Sequence, residues 1–178
     1  MQGADRLSDG QAVTLEALLN AREKRLSRQR HALTCYRLPL VSLTLVTPGP
    51  VKNNRTWRRL AANARKEVLR LCAVHSWACA WEQSVDAVSG PEWMAAICAP
   101  AKTLKRAMVH LEENHPLGRL WDIDIIDSDG RSLSRREFGF PPRRCLVCAE
   151  AAHICARARR HTIDMLLEEI ARRIEDEK

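Results

Sequence analysis

Two aspartates in the second half of the chain have the spacing of a metal site. Asp122 and Asp124 lie two residues apart in the stretch GRLWDIDIID (118–127), where acidic and apolar residues alternate. On a β-strand, residues two apart project from the same face, so both carboxylates would converge on one point. Carboxylate oxygens are ligands that Mg²⁺ prefers, and Mg²⁺ commonly bridges protein carboxylates to substrate phosphates. The alternative is a solvated strand face that carries alternate aspartates.

The residues around this pair favour the metal interpretation. Gly118 and Arg119 could bring backbone groups and a guanidinium close to a phosphate. Asp127 would point to the opposite face of the strand by parity. We therefore take Asp122, Asp124 and Arg119 as candidate catalytic residues, with Mg²⁺ held by the two aspartates.

A second set of possible ligands lies further along the chain: Cys145, Cys148, Cys155 and His161. Thiolates and imidazole are the usual ligands of zinc. If a helix covers 150–161 and reaches back to Cys148, then Cys148 and Cys155 share a face, but His161 lies about a third of a turn from Cys155. Only a break in this helix near Arg159 would bring His161 close to the cysteines. Because no fourth ligand is evident, we favour buried thiols that pack without a metal over an obligatory zinc site.

Basic side chains of the same segment are candidates for substrate binding: Arg143, Arg144, His153, Arg157, Arg160 and His161. His153, Arg157 and His161 would form an i, i+4, i+8 row on a continuous helix. Arginine binds phosphate through a planar fork and stays charged at any relevant pH, so such a row is suited to a polyphosphate. A solvated basic helix face is the alternative.

Hydrophobic periodicity predicts the elements that must position these residues. Alternation and β-branched residues indicate strands at 37–46, 74–85, 94–99 and 119–127. Spacings of three to four residues indicate helices at 14–32, 56–72, 101–114 and 162–175. This mixture predicts an α+β fold, with residues 1–178 as a single domain in which helices flank a mixed sheet. The Cys/Arg-rich segment 141–178 would be helical.

Composition limits the class of partner and the compartment. Lys and Arg number 29 against 22 Asp and Glu, so the surface should attract anions such as phosphates, nucleic acid or an acidic protein. The seven cysteines are an odd number, and the N-terminus lacks the basic-then-apolar layout of a secretory signal. Without an apolar run of bilayer length, we expect a cytoplasmic protein with reduced thiols and no membrane partner.

Several stretches together resemble the citrate lyase holo-acyl-carrier-protein synthases, also called apo-citrate lyase phosphoribosyl-dephospho-CoA transferases. The matching stretches cover nearly the whole chain: LLNAREKRLSRQRHAL (18–33), PGPVKNN (48–54), HPLGRLWDIDIID (115–127), LSR (133–135) and PPRRCLVCAEAAHICARARRH (141–161). The acidic strand is also similar to the metal-binding strand of polymerase-beta-like nucleotidyltransferases.

This resemblance implies a transfer of phosphoribosyl-dephospho-CoA. The donor would be triphosphoribosyl-dephospho-CoA, the acceptor a serine of the apo acyl-carrier (gamma) subunit of citrate lyase, and the leaving group diphosphate. Mg²⁺ on the two aspartates would face the triphosphate, whose oxygens Arg119, Arg157 and His161 would bind. Lys52, beside the Pro-Gly-Pro turn, would contact the leaving diphosphate, although an ordinary surface lysine is the alternative.

Two other functions compete with this one. A nucleic-acid-binding module would use zinc in the cysteine segment and arginines along a phosphate backbone, but Asp122 and Asp124 would repel that backbone. We therefore expect no nucleic-acid partner. The transferase that serves malonate decarboxylase uses the same prosthetic group on a different carrier, and the segment 141–161 favours the citrate lyase family.

Overall fold

The computed structural model describes residues 2–177. Its α-helices are α1 (Gln2–Ser8), α2 (Leu15–Tyr36), α3 (Arg55–Val74), α4 (Ala101–Asn114), α5 (Ala152–Ala158) and α6 (Ile163–Asp176). Its strands are β1 (Leu40–Leu45), β2 (Cys79–Ala87), β3 (Gly90–Ile97) and β4 (Trp121–Ile126). Two short 3₁₀ helices cover Gly118–Leu120 and Arg135–Phe138.

The four strands form one sheet in the order β2-β3-β1-β4, and every neighbouring pair is antiparallel. β1 and β2 run in the same direction but β3 lies between them, and β1 likewise separates β3 from β4. The sequence β1-α3-β2-β3-α4-β4 is therefore the split β-α-β arrangement of ferredoxin-like folds. The predicted α+β class is confirmed. The predicted mixed sheet is wrong, because each helical crossover passes over an intervening strand and leaves no parallel pair.

One face of the sheet carries the main hydrophobic core. Val41 and Leu43 of β1 and Ile123 and Ile125 of β4 are almost fully buried there. α3 and α4 cover this face with apolar side chains spaced three or four residues apart: Trp57, Leu60, Ala64, Val68, Leu104 and Met108. The strand pattern thus sends every second residue of β4 into the core and leaves the others for the opposite face.

α2 covers that opposite face, which is more polar. Only a small apolar cluster lies under the C-terminal half of the helix, with Ala32 against Leu40 and Ile126. Towards the other end, Gln29 donates a hydrogen bond of 3.0 Å to the Ser42 hydroxyl oxygen. The predicted helix 14–32 is confirmed as an element and continues to Tyr36.

The C-terminal helix packs on the same core as the sheet. Thr162 accepts a hydrogen bond of 3.2 Å from the Met165 amide and caps α6. Leu167, Ile170 and Ile174 then join the cluster that contains the buried face of β4. Between residues 2 and 177, no helix is both long and apolar enough to span a bilayer.

Candidate active site and cysteine cluster

Asp122 and Asp124 project from the α2 face of β4, opposite to the buried Ile123 and Ile125. Asp122 lies directly across from Thr44 of β1, and Asp124 across from Ser42. Because β4 is an edge strand, both carboxylates remain accessible, and the Asp122 side chain is 49% exposed. The strand geometry therefore places two carboxylates side by side on the α2 face of β4, where both remain in contact with solvent.

A cavity of about 320 Å³ opens beside Asp122, and we call it the carboxylate cleft. Its walls come from the start of α2, the exit of β1 and the β2–β3 turn. Arg22, Arg25 and Lys52 contribute cationic groups to it. Arg25 is paired with the buried carboxylate of Glu92 at 3.3 Å, and burial lowers the pKa of Lys52, whose Nζ donates to the Thr47 carbonyl oxygen. The cleft thus combines a carboxylate with cations that could receive phosphate oxygens.

The pKa of Asp124 is raised above its ordinary value. Although the side chain keeps an exposed surface, the surrounding protein displaces water from the carboxylate, and this is the largest cause. The like charge of Asp122 adds to the shift, whereas Lys105 and Arg143 oppose it. Two carboxylates that repel each other in this way are suited to share a divalent cation.

Arg143 connects Asp122 to a buried charge network at the outer edge of β4. Its guanidinium donates to Asp122 Oδ1 at 2.8 Å and to the Trp121 carbonyl oxygen, and lies 3.5 Å from Glu112 Oε1. Arg143 thus contacts the carboxylate pair directly, which the sequence interpretation as a substrate-binding residue did not foresee. Arg143 itself does not line the carboxylate cleft.

Glu112 of α4 is the centre of this network and was missed by the sequence interpretation. Its carboxylate accepts a hydrogen bond of 2.9 Å from the Ile123 amide and pairs with Arg135 at 3.3 Å. Burial raises its pKa, and the nearby Arg143 and Arg135 partly offset that effect. Lys105, about two turns earlier on α4, donates to the Ile123 carbonyl oxygen at 3.5 Å. The sequence did contain a signal for this network: Lys105 and Glu112 are charged, lie seven residues apart and fall on the otherwise apolar side of the predicted helix.

Arg119 lies where two larger cavities meet. One, the arginine cavity of about 800 Å³, is lined by further arginines: Arg135, Arg143, Arg144, Arg172 and Arg173. The other, the apolar cavity of about 630 Å³, lies between the exit of β1 and α5–α6. Burial, with Arg143 and Arg173 nearby, lowers the pKa of Arg119 to about 10, and its Nε donates to the Arg144 carbonyl oxygen. A desolvated guanidinium among like charges favours an anion nearby.

The cysteine cluster consists of Cys145, Cys148, Cys155 and His161, whose ligand atoms all lie within 4.8 Å of one another. Cys148 Sγ is 3.5 Å from Cys155 Sγ and 3.3 Å from His161 Nε2. Tetrahedral zinc with Zn–S bonds of about 2.3 Å separates its sulfurs by about 3.8 Å, so these spacings fit a metal. Burial alone would raise the pKa of Cys145, but the Val147 and Cys148 amides donate to its sulfur and the net shift is downward.

The expectation that His161 lies outside the cluster is wrong. α5 ends at Ala158, and Arg159 adopts a left-handed conformation with φ of 46°. This single residue redirects the chain, so the helical phase that separated His161 from Cys155 does not apply. The break brings the imidazole close to the thiols, so His161 is a possible fourth ligand.

The same break removes the predicted basic row. His153 and Arg157 lie on exposed parts of α5, and Arg160 is exposed beyond its end, while His161 turns towards the cysteines. Among residues 2–177, none of the side chains that line the three cavities above belongs to His153, Arg157 or Arg160. Arg144, by contrast, lines the arginine cavity, and Lys52 lines the carboxylate cleft.

The PGPVKNN stretch shapes the cleft through its asparagines. Asn54 caps α3 by accepting hydrogen bonds of 3.0 Å from the Thr56 and Trp57 amides. Its amide nitrogen donates to carbonyl oxygens at the end of α1, and Asn53 donates to the Ala87 carbonyl oxygen of the β2–β3 hairpin at 2.7 Å. These bonds fix the turn from which Lys52 reaches the cleft.

Comparison with known proteins identifies close relatives along most of the chain. A model of the family described as apo-citrate lyase phosphoribosyl-dephospho-CoA transferase matches residues 13–177, so the matched region begins after α1. A protein of that name from Escherichia coli O7:K1 (strain IAI39 / ExPEC) is 43% identical over 161 residues, which are 90% of this chain and 88% of the relative. Its namesake from Shigella boydii serotype 18 (strain CDC 3083-94 / BS512) is 42% identical with the same coverage. The chain therefore belongs to the apo-citrate lyase phosphoribosyl-dephospho-CoA transferase family.

Proposed function

We propose that this protein transfers phosphoribosyl-dephospho-CoA from triphosphoribosyl-dephospho-CoA to a serine of the apo acyl-carrier subunit of citrate lyase. Family membership over residues 13–177 supports the reaction. The observation that supports its location is that Asp122 and Lys52 line the carboxylate cleft, with Asp124 on the same face of β4 two residues further along. In this reaction the serine oxygen bonds to the phosphorus nearest the ribose, the bond from that phosphorus to the next bridging oxygen breaks, and diphosphate leaves.

Such a displacement needs positioning and charge neutralisation more than covalent participation by the protein. Asp122 and Asp124 fit Mg²⁺ because they offer adjacent hard oxygen ligands on an accessible face. Bound Mg²⁺ would neutralise charge on the triphosphate. Arg143 would keep the Asp122 carboxylate oriented through the 2.8 Å hydrogen bond between them.

Cationic side chains around the cleft would bind the remaining phosphate oxygens. Lys52, which lines the cleft, would receive the leaving diphosphate, and Arg119 and Arg144, which line the arginine cavity, would bind phosphates there. The exposed His153, Arg157 and Arg160 would add only to the long-range attraction of an anionic substrate. His161 would serve as a metal ligand in the cysteine cluster instead of a phosphate ligand.

For the cysteine cluster we propose a structural zinc ion. Three thiolates and one imidazole would supply four ligands to zinc, the number typical of structural sites, whereas catalytic zinc keeps an open position. Two of the ligands, Cys145 and Cys155, are buried. Zinc would therefore stabilise the segment that supplies Arg143 and Arg144 to the arginine cavity.

The proposed reaction is tested by weighing the carrier. Purified protein is incubated with Mg²⁺, triphosphoribosyl-dephospho-CoA and either the apo carrier of citrate lyase or that of malonate decarboxylase, and each carrier is then analysed by mass spectrometry. The citrate lyase carrier should gain the mass of one phosphoribosyl-dephospho-CoA group, and replacement of its acceptor serine by alanine should abolish the gain. Modification of the malonate decarboxylase carrier alone would refute the proposed acceptor.

A further inference from the structure

The apolar cavity is a mainly apolar recess close to the carboxylate cleft. Its volume is about 630 Å³, and its walls come from two parts of the chain that are distant in sequence. The exit of β1 and the loop after it supply Val46 and Pro48, whereas α5 and α6 supply Ala156, Ile163 and Leu166. Ile163 is 48% exposed and Ala156 is also exposed, so the walls are accessible to a ligand from solvent.

A cation belongs to the lining of this cavity. The guanidinium of Arg119 lines both the apolar cavity and the arginine cavity. Within the described part of the chain it forms no ion pair, in contrast to Arg143 and Arg135, which both pair with Glu112. An apolar recess whose lining includes a guanidinium without an ion-pair partner suits a ligand with an apolar body and an anionic end.

The cavity is adjacent to the carboxylate cleft. Thr44, Leu45 and Thr47 line the cleft, whereas Val46 and Pro48 line the apolar cavity, so the two recesses lie on opposite sides of the same short segment. The Val46 amide donates a hydrogen bond of 2.9 Å to the carbonyl oxygen of Leu120, two residues before Asp122. The two recesses are therefore neighbours, separated by this segment.

We infer that the apolar cavity binds the adenosine part of the dephospho-CoA group, with its diphosphate on Arg119. This assignment rests on the proposed function, which makes a dephospho-CoA derivative the substrate. Adenine presents two apolar faces that Val46, Ile163 and Leu166 can cover. The pantetheine arm carries two amides and a hydroxyl, which would lack hydrogen-bond partners against such walls, so it extends towards solvent.

Dephospho-CoA itself is the probe, because it lacks the triphosphate and binds without reaction. Its affinity is measured by calorimetry for the wild-type protein and for two variants that alter the cavity in different ways. Ala156→Trp fills the cavity and should weaken binding at least tenfold. Ile163→Ser removes an apolar wall at a half-exposed position and should weaken binding about threefold to tenfold, with little effect on folding. Ala158→Trp on α5 and Met165→Ser on α6 are matched controls at exposed positions outside the cavity and should leave the affinity unchanged.

Two fragments identify which part of the ligand occupies the cavity. ADP should bind, and its affinity should fall in the cavity variants by the same factors as that of dephospho-CoA. Phosphopantetheine should show no difference between wild-type protein and variants. Unchanged dephospho-CoA affinity in Ile163→Ser, or a loss that follows phosphopantetheine and not ADP, would overturn the assignment. If the cavity variants weaken ADP as expected but wild-type protein leaves the carrier unmodified, the cavity assignment stands and the proposed transfer fails.

Discussion

β4 and the cysteine cluster both carry side chains that could bind a metal, but different forces hold these side chains in place. β4 is hydrogen-bonded to β1 along its whole length, and on its outer edge Glu112 and Lys105 bond the Ile123 backbone. The cysteine segment has one backbone bridge, between Arg144 and Ala151, packs Leu146 into the main core and continues into the seven-residue helix α5. Carboxylates on a prebuilt strand can release and rebind a metal without a change of fold, whereas a short loop and helix depend on the metal for much of their order.

Zinc removal should therefore have the largest effect and should be confined to the cysteine cluster. Structural zinc contributes about 10–16 kcal/mol of binding free energy in small zinc-dependent peptides. Protein purified without added metal should carry one zinc per chain by elemental analysis. Cys148→Ser should lose the metal and melt at a clearly lower temperature in circular dichroism, while Cys98→Ser, at an exposed cysteine outside the cluster, should match the wild type. A zinc-free wild type with Cys148→Ser as stable as Cys98→Ser would leave the thiols as packing residues.

The rigidity of β4 is tested at Glu112. Glu112→Gln keeps an acceptor for the Ile123 amide but leaves the Arg135 and Arg143 guanidinium groups without their buried counter-charge. Loss of one partner from a buried ion pair costs about 3–5 kcal/mol, so denaturant unfolding should show a free energy lower by about 3 kcal/mol.

The adjacent Glu113 supplies the control for that variant. Its side chain is 39% exposed and pairs with Arg135 at 3.4 Å, so Glu113→Gln should cost at most about 1 kcal/mol. Equal destabilisation by the two substitutions would mean that the network does not support β4.

Substitution of the carboxylate pair should affect chemistry and leave the fold intact. Asp122→Asn and Asp124→Asn should each reduce transfer at least about a hundredfold, or about 2.7 kcal/mol, because a metal clamp stabilises charge in the transition state. Asp127→Asn should be milder, since Asp127 lies beyond β4 and accepts a hydrogen bond from the Ser128 amide in the following turn. Near-normal turnover of both Asn variants would exclude the metal role of the pair.

The smallest expected effect is a difference in precursor affinity between substitutions of two arginines. Arg119→Ala should weaken precursor binding by about 1.5–3 kcal/mol, the scale of a hydrogen bond to a charged group. Arg157→Ala, at an exposed site away from the cavities, should change it by at most about 0.5 kcal/mol. Calorimetry in which Arg157→Ala has the greater effect would restore the basic helix face as the substrate site.

Local patterns were sufficient to predict β4. Alternation in WDIDII fixes which residues face the core, because the period of a strand depends only on the backbone. The direction of the His161 side chain was predicted wrongly, because the prediction assumed a continuous helix and Arg159 is left-handed and ends it. Glu112 pairs with Arg135 and Arg143, which are 23 and 31 positions away in the sequence. The periodicity of a single helix or strand cannot predict such a contact. Long-range packing of α4 against β4 creates that network.

Our central claim is that the carboxylate pair carries out the reaction and that the cysteine cluster is structural. It is tested most directly by measuring the mass of the carrier after reaction with protein whose zinc and Mg²⁺ contents are set separately. Protein that retains its zinc but is freed of Mg²⁺ should leave the apo carrier unmodified, and added Mg²⁺ should restore the mass gain of one phosphoribosyl-dephospho-CoA group. With Asp122→Asn, which should retain zinc and fold normally, Mg²⁺ should restore almost none of it. A full mass gain without Mg²⁺, or with Asp122→Asn at the wild-type rate, would contradict the assignment of the reaction to this pair.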